Sequence, residues 1–180
     1  REWKNDPAHY KDRLFTHVVD PFIPPSHWQC WRGFDWGFAK PFSVGWYVAD
    51  EAGKIYRIKE FYGCTDTPNV GVQMQAAEIA ENIRRIESED PMLRGRSIIG
   101  VADPSIFDAS RGESIADIMA KHPNYVAWTP ADNARISGKQ QYHYRLAFDD
   151  DGECMFQVFS NCKHFIRTIP TLVYSERHVE

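Results

Sequence analysis

Three short runs of aromatic and β-branched residues follow one another after residue 30. They are WRGFDWG (31–37), FSVGWYVAD (42–50) and KIYRIKEFYGC (54–64), and this composition is typical of β-strands. Only short connections, Ala39 to Pro41 and Asp50 to Gly53, separate them. Because connections this short join antiparallel neighbours, the pattern predicts a three-stranded antiparallel meander.

The period then changes from two to that of a helix. Between Asn69 and Ser88, apolar residues recur at helical spacing, which predicts an amphipathic helix. The run RSIIGVADP (96–104) is almost continuously apolar, which predicts a central strand covered on both faces and ended by Pro104. Beyond it we expect helices over 113–121, 136–148 and 162–169 and strands over 125–128 and 154–159. The sum is a mixed α/β sheet flanked by helices.

Composition narrows the class of protein. The 180 residues suit one domain, and 43% hydrophobic with 14% aromatic residues excludes disorder of the whole chain. No apolar run is long enough to span a bilayer. A net charge of −4 argues against holding nucleic acid by bulk electrostatics. The last third is nevertheless locally basic, which predicts either a nucleic-acid-facing patch or a solvated helix face; its basic residues are Arg135, Lys139, His143, Arg145, Lys163, His164 and Arg167.

Asp35 is the first candidate for chemistry. Strand alternation places Gly33, Asp35 and Gly37 on one face and Phe34 and Trp36 on the other. Glycines inside a strand often mark the close approach of a ligand, so this carboxylate is expected to be accessible. The alternative is that Asp35 only accepts hydrogen bonds in the turn that begins at Gly37.

Asp103 is the second candidate, since it ends the apolar strand just before Pro104. In open α/β sheets ligands bind beyond the carboxyl ends of strands. If the strands that carry Asp35 and Asp103 are neighbours, about 4.8 Å apart, the two carboxylates meet. They would repel unless a cation separates them, and hard oxygen ligands favour Mg²⁺ or Mn²⁺ in a site that hydrolyses phosphodiesters. The alternative is that Asp103 merely caps or ends the strand.

Three longer segments carry a resemblance to a known family: residues 17–48 (HVVDPFIPPSHWQCWRGFDWGFAKPFSVGWYV), 98–119 (IIGVADPSIFDASRGESIADIM) and 156–176 (FQVFSNCKHFIRTIPTLVYSE). They resemble the carboxyl-terminal nuclease domain of the large terminase subunit of tailed bacteriophages and prophages. The resemblance implies a ribonuclease H-like mixed sheet and an endonuclease using two Mg²⁺ or Mn²⁺ ions to cut concatemeric viral double-stranded DNA during packaging. The family's acidic positions fall on Asp35 and Asp103.

A third acidic ligand is implied in a stretch after the final IP-x-L-x-Y segment, and it is expected beyond Glu180. Stand-ins by charge alone, none of them favoured, are Asp149, Asp150, Asp151, Glu176 and Glu180. Glu60, Glu78 and Glu81 could approach the metals but are interpreted as solvated carboxylates, and Asp108 as an outer group or a helix cap. Lys139 and Arg145 are the candidates for DNA phosphate contacts.

Residues 1–25 are interpreted as a linker from an N-terminal ATPase domain of the same polypeptide, and residues 26–180 as a nuclease domain truncated at its carboxyl end. No G-x-x-x-x-G-K-[ST] motif occurs, so no ATP hydrolysis is expected. The implied partners are double-stranded DNA, the portal protein, the small terminase subunit and the ATPase domain, in the host bacterial cytoplasm and without a membrane.

Two other functions stay open. One is a nucleotide-binding lobe of the actin and sugar-kinase type, which tight ATP binding by the isolated chain would favour. The other is a non-catalytic docking domain of the packaging machine. Partner binding without Mn²⁺-dependent cleavage would favour that second reading.

Overall fold

A computed structural model describes residues 3–171, which form a seven-stranded mixed sheet flanked by helices. The strands are β1 (Val18–Val19), β2 (Gln29–Asp35), β3 (Ser43–Ala49), β4 (Ile55–Tyr62), β5 (Ile98–Ala102), β6 (Thr129–Pro130) and β7 (Phe156–Phe159). The helices are α1 (Ala76–Glu89), α2 (Ile115–Ala120), α3 (Arg135–Leu146) and α4 (Lys163–Thr168). None of the helices in this part of the chain is long and apolar enough to cross a membrane.

The strand order is β1-β7-β4-β3-β2-β5-β6. Strands β2, β3 and β4 form the predicted antiparallel meander, whereas β5 joins β2, and β7 joins β4, in parallel. The predicted fold class, a ribonuclease H-like sheet of three antiparallel strands followed by parallel ones, is confirmed.

One face of the sheet is closed by α1 and α2. The apolar stripe of α1, with Ile79, Ala80 and Ile83 fully buried, belongs to the same core cluster as Val44 and Trp46 of β3. Burial of such a stripe supplies most of a helix's stability, because short helices are marginal in water by themselves. The helical spacing of apolar residues in the sequence therefore reflects the packing of α1 against the sheet.

The other face is covered less completely by α3 and α4. A cavity of about 440 Å³ lies on this face, lined by residues that include Trp31, Val101 and Tyr142. The prediction that residues 96–104 form a strand covered on both faces is wrong here, since Ile99 is 44% exposed. Strand β5 is next to the edge of the sheet, so its outward side chains have fewer neighbours to cover them.

The segment interpreted as a linker is anchored to the domain by residues 16–19, which are buried, although much of residues 4–12 is exposed. Strand β1 pairs in parallel with β7, His17 is fully buried, and Trp3 stacks on His17 with ring centroids 5.0 Å apart. A two-residue strand has no alternation to recognise, which explains why the sequence pattern misses it. Whether an ATPase domain precedes this segment stays a prediction.

Two element boundaries also differ from expectation. Helix α1 begins at Ala76 rather than near Asn69, because Cys64 and Gly71 form a β-bridge just before it. The strand expected over 125–128 forms at Thr129–Pro130 instead. Val126 and Trp128 lie in an irregular segment but their side chains are buried in the core. Their apolar character therefore reflects core packing and not a strand.

Candidate functional site

Asp35 and Asp103 lie next to each other at the carboxyl ends of the neighbouring strands β2 and β5. Strands β2 and β5 are parallel neighbours with Phe34 opposite Ala102, and the Asp103 amide donates to the Phe34 carbonyl at 3.2 Å. Asp35 directly follows Phe34, and Asp103 directly follows Ala102. The strand adjacency that the two-acid hypothesis requires is therefore present, whereas the role of the two acids stays a prediction.

Both carboxylates belong to the face that carries α3 and α4. On β2, Arg32 and Phe34 are buried on the α1 side, so Asp35 falls on the opposite side with Gly33. On β5, Ala102 is buried on the α1 side, and alternation directs Asp103 to the same side as Asp35.

The electrostatics at this edge are those of two like charges. Asp35 remains exposed at the end of β2, but partial loss of water around its carboxyl, and then the negative charge of Asp103, raise the pKa of that carboxyl above its usual range. Among the side chains that the structure describes, no cation or hydrogen-bond donor acts to lower the pKa of Asp35. A nearby cation would stabilise a carboxylate in this setting.

Asp103 also has a local structural use. Its Oδ1 accepts a hydrogen bond from the Ser105 amide at 2.8 Å and so caps the short 3₁₀ turn over Pro104–Phe107. The capping alternative from the sequence therefore describes a real contact. That contact occupies one oxygen and fixes the carboxylate beside Asp35.

A third ligand is not found in the described part of the chain. Over residues 3–171, no group of three or more His, Cys, Asp and Glu side chains could hold a metal ion. Asp149, Asp150 and Asp151 form a turn in which the Asp149 amide donates to Glu153, whose side chain pairs with Lys54 at 2.6 Å. Lys54 precedes β4, at the end of the sheet opposite Asp35. Glu176 and Glu180 lie outside the described residues.

Of the weaker carboxylate candidates, three are exposed to solvent and one is buried by contacts within the fold. Glu78 and Glu81 are exposed on α1, on the other face. Asp108 is exposed and accepts from the Ser110 amide at 2.8 Å, which lowers its pKa. The interpretation of Glu60 as a solvated carboxylate is wrong, since its side chain is only 8% exposed and accepts from the His164 and Phe165 amides at 2.7 and 3.0 Å. These partners are 104 and 105 residues away, so no local signal could reveal them.

The two predicted phosphate contacts sit on α3 in different settings. Lys139 is exposed near the start of the helix. Arg145 donates to the Gly53 carbonyl at 3.0 Å and ties α3 to the turn between β3 and β4. That turn is at the end of the sheet away from Asp35. A DNA contact by either residue stays a prediction.

The chain has the fold of terminase nuclease domains. It aligns with the P22 large terminase nuclease domain at a TM-score of 0.64 and 14% identity, covering 98% of this chain and 81% of that one. The large terminase of the thermophilic bacteriophage D6E in complex with ADP aligns at 0.64 and 20%, covering 89% and 35%. The nuclease domain of the bacteriophage SPP1 large terminase with bound Mn aligns at 0.56 and 16%, covering 90% and 82%.

The chain thus spans about a third of the length of the D6E protein. No model of a known protein family matches the chain, and no curated protein matches it. The predicted resemblance is confirmed at the level of the fold.

Proposed function

We propose that this chain is the nuclease part of a large terminase subunit, which hydrolyses phosphodiester bonds of concatemeric viral double-stranded DNA during genome packaging. The observation that supports it most is that Asp35 and Asp103 both lie at the carboxyl ends of two neighbouring parallel strands. Ligand sites in sheets of this kind form at that position.

The two carboxylates suit a divalent cation of the Mg²⁺ or Mn²⁺ type, because their oxygens are hard ligands and Asp35 has no compensating charge in the described chain. Asp35 and Asp103 would hold it. When bound, such a cation supplies charge stabilisation at phosphoryl oxygens and an acidified water, and a pair of ions can serve both the attacking and the leaving oxygen.

The chain's own contribution is position and access. The hydrogen bond from the Ser105 amide holds the Asp103 carboxylate in place. Asp35 is held as the last residue of β2. On the face of the acids, Gly33 carries no side chain next to Asp35, whereas the space over its partner Gly45 is filled by the Arg57 guanidinium and the Tyr47 hydroxyl. A phosphate group can therefore approach the two acids closely.

The wider assignment follows the relatives. We propose that a third acidic ligand comes from sequence beyond Glu180 and that two metal ions act. The full polypeptide would carry an ATPase domain before this one and work with portal protein and small terminase subunit in the host bacterial cytoplasm. The alignment with part of a large terminase that binds ADP, and with a nuclease domain that binds Mn, supports this view.

Nicking of supercoiled plasmid with Mg²⁺ or Mn²⁺ tests the proposal, on this chain and on a version extended past Glu180. We expect the extended version to cleave and Asp35→Asn and Asp103→Asn each to reduce cleavage to background. Glu81→Gln is the matched control, since it removes an exposed carboxylate of α1, on the opposite face of the sheet.

Cleavage that survives either Asp35→Asn or Asp103→Asn would remove that residue from the mechanism. Tight ATP binding without cleavage would favour the nucleotide-binding lobe instead.

A further inference from the structure

Helix α4 carries basic side chains on the face of the sheet that bears the two acids. Lys163, His164 and Arg167 are all exposed on this short helix. Among the described residues, neither Lys163 nor Arg167 forms an ion pair, and both side chains are exposed. The net charge of the chain is −4, so this group of basic side chains is a local exception to its overall charge.

The sheet places α4 at the same edge and on the same face as the acids. Asp35 is opposite Ser43, and Ser43 is opposite Tyr62, so these three residues share one face at the carboxyl end of β2 and β4. The His164 ring lies 5.0 Å from the Tyr62 ring. The charge of Arg167 also acts on the Tyr62 hydroxyl, where it opposes the rise in pKa caused by burial.

Glu60 fixes this arrangement. Its carboxylate accepts from two consecutive amides of α4 and lies 3.7 Å from the Arg57 guanidinium, which also rests over the Phe165 ring. The start of α4 is therefore bound to β4, two strands away from Asp35. Two strand spacings amount to about 10 Å.

We propose that α4 is a DNA-backbone contact of this domain, in which Lys163, His164 and Arg167 hold phosphates next to the one that reaches Asp35 and Asp103. This inference rests on the proposed nuclease function and names where its duplex substrate binds. Successive phosphates of one strand advance by about 3.4 Å along the helix axis, so ~10 Å corresponds to roughly three phosphates. A duplex lying along this edge can contact both groups at once.

A second basic feature competes for the same role and provides the control. Arg84 and Arg94 line a cavity of about 540 Å³ on the α1 side, together with Arg32, Arg96 and Glu87. That cavity is on the face opposite Asp35. A duplex bound there could not present its phosphate to the acids.

The test measures binding of a fluorescently labelled duplex by anisotropy in EDTA, where no cleavage occurs, over a series of salt concentrations. Each phosphate contact contributes about 0.9 to the slope of log K against log salt. We expect Lys163→Ala/Arg167→Ala to weaken binding and to lower the slope by about 1.8, the loss of two contacts. Lys163→Arg/Arg167→Lys should keep the wild-type slope.

The matched control is Arg84→Ala/Arg94→Ala, which removes the same charge from the opposite face and should leave the slope unchanged. An unchanged slope for the α4 variant, a loss confined to the Arg84 and Arg94 variant, or no salt-dependent duplex binding by wild type would overturn the proposal. Because binding is read without metal, failure of the nuclease function appears separately, as absent cleavage by an extended chain that still binds duplex through α4.

Discussion

Two carboxylates on opposite faces of one sheet have opposite surroundings. Glu87 of α1 is 8% exposed, and its Oε1 accepts from Arg32 at 2.6 Å and from the Trp46 indole at 2.9 Å. Asp35, three positions after Arg32 on β2, has a second carboxylate as its neighbour and a raised pKa. A buried charge with its partners supplied belongs to the fold, whereas a carboxylate held against a like charge opposes folding and is typical of functional sites.

The largest effect that would sharpen this contrast is expected at Glu87. Glu87→Ala leaves the Arg32 charge and the Trp46 N–H buried without this partner, so we expect the free energy of unfolding to fall by about 3–5 kcal/mol. Urea denaturation measures the loss. The double variant Arg32→Met/Glu87→Met should recover most of it, because no charge is then stranded. A loss below ~1 kcal/mol for Glu87→Ala would mean that the pair does not stabilise the fold.

A smaller loss is expected at Glu60, on the face of the acids. Glu60→Ala removes the acceptor for two α4 amides, so a cost of about 1–2 kcal/mol is expected, as for the loss of a helix cap. Hydrogen exchange should show that the protection lost is concentrated in α4 and its contacts with β4. Loss spread evenly over the sheet would contradict a capping role. Glu78→Ala, at an exposed position of α1, serves as the control.

Replacing Asp35 is expected to stabilise the protein at neutral pH, whereas replacing Glu87 or Glu60 destabilises it. The pKa of Asp35 is higher in the folded protein than in the unfolded chain, so its contribution to stability is fully present below the unfolded value and is lost as pH rises through the folded value. Asp35→Asn should therefore match wild type in acid and become the more stable protein as pH rises to neutrality, in thermal melts with EDTA. Adding Mn²⁺ should raise the Tm of wild type more than that of the variant. A variant less stable than wild type at neutral pH would show that the Asp35 charge supports the fold.

The smallest effect on stability is expected at Gly33, beside Asp35. A Cβ there would make only an ordinary contact, 3.5 Å from the Tyr47 ring, so Gly33→Ala should change the free energy of unfolding by less than ~0.5 kcal/mol. Cleavage by the extended chain should nevertheless fall, since the added methyl stands on the surface where the phosphate approaches. Unaltered cleavage would show that the substrate does not reach this surface.

Local pattern was a good guide wherever an element makes its own signal. Runs of aromatic and β-branched residues predicted β2, β3 and β4, helical spacing predicted most of α1, and the position of Asp103 after an apolar strand marked it as a candidate. The Glu60 contact with α4 and the Arg32–Glu87 pair were invisible, because their partners are 104 and 55 residues apart. Basic residues in α4 were visible only as composition, with no indication of what they stand beside.

The sequence by itself determined the type of most elements and the chemical nature of the candidate residues, because burial of one face imposes a period of two or 3.6 on neighbouring positions. Only the tertiary structure decided which strands are neighbours, that Asp35 and Asp103 share an edge, and that α4 stands on the same face. Those choices depend on contacts between distant parts of the chain. Their free energy comes from packing and desolvation in the assembled sheet, and it leaves no periodic trace in the local sequence.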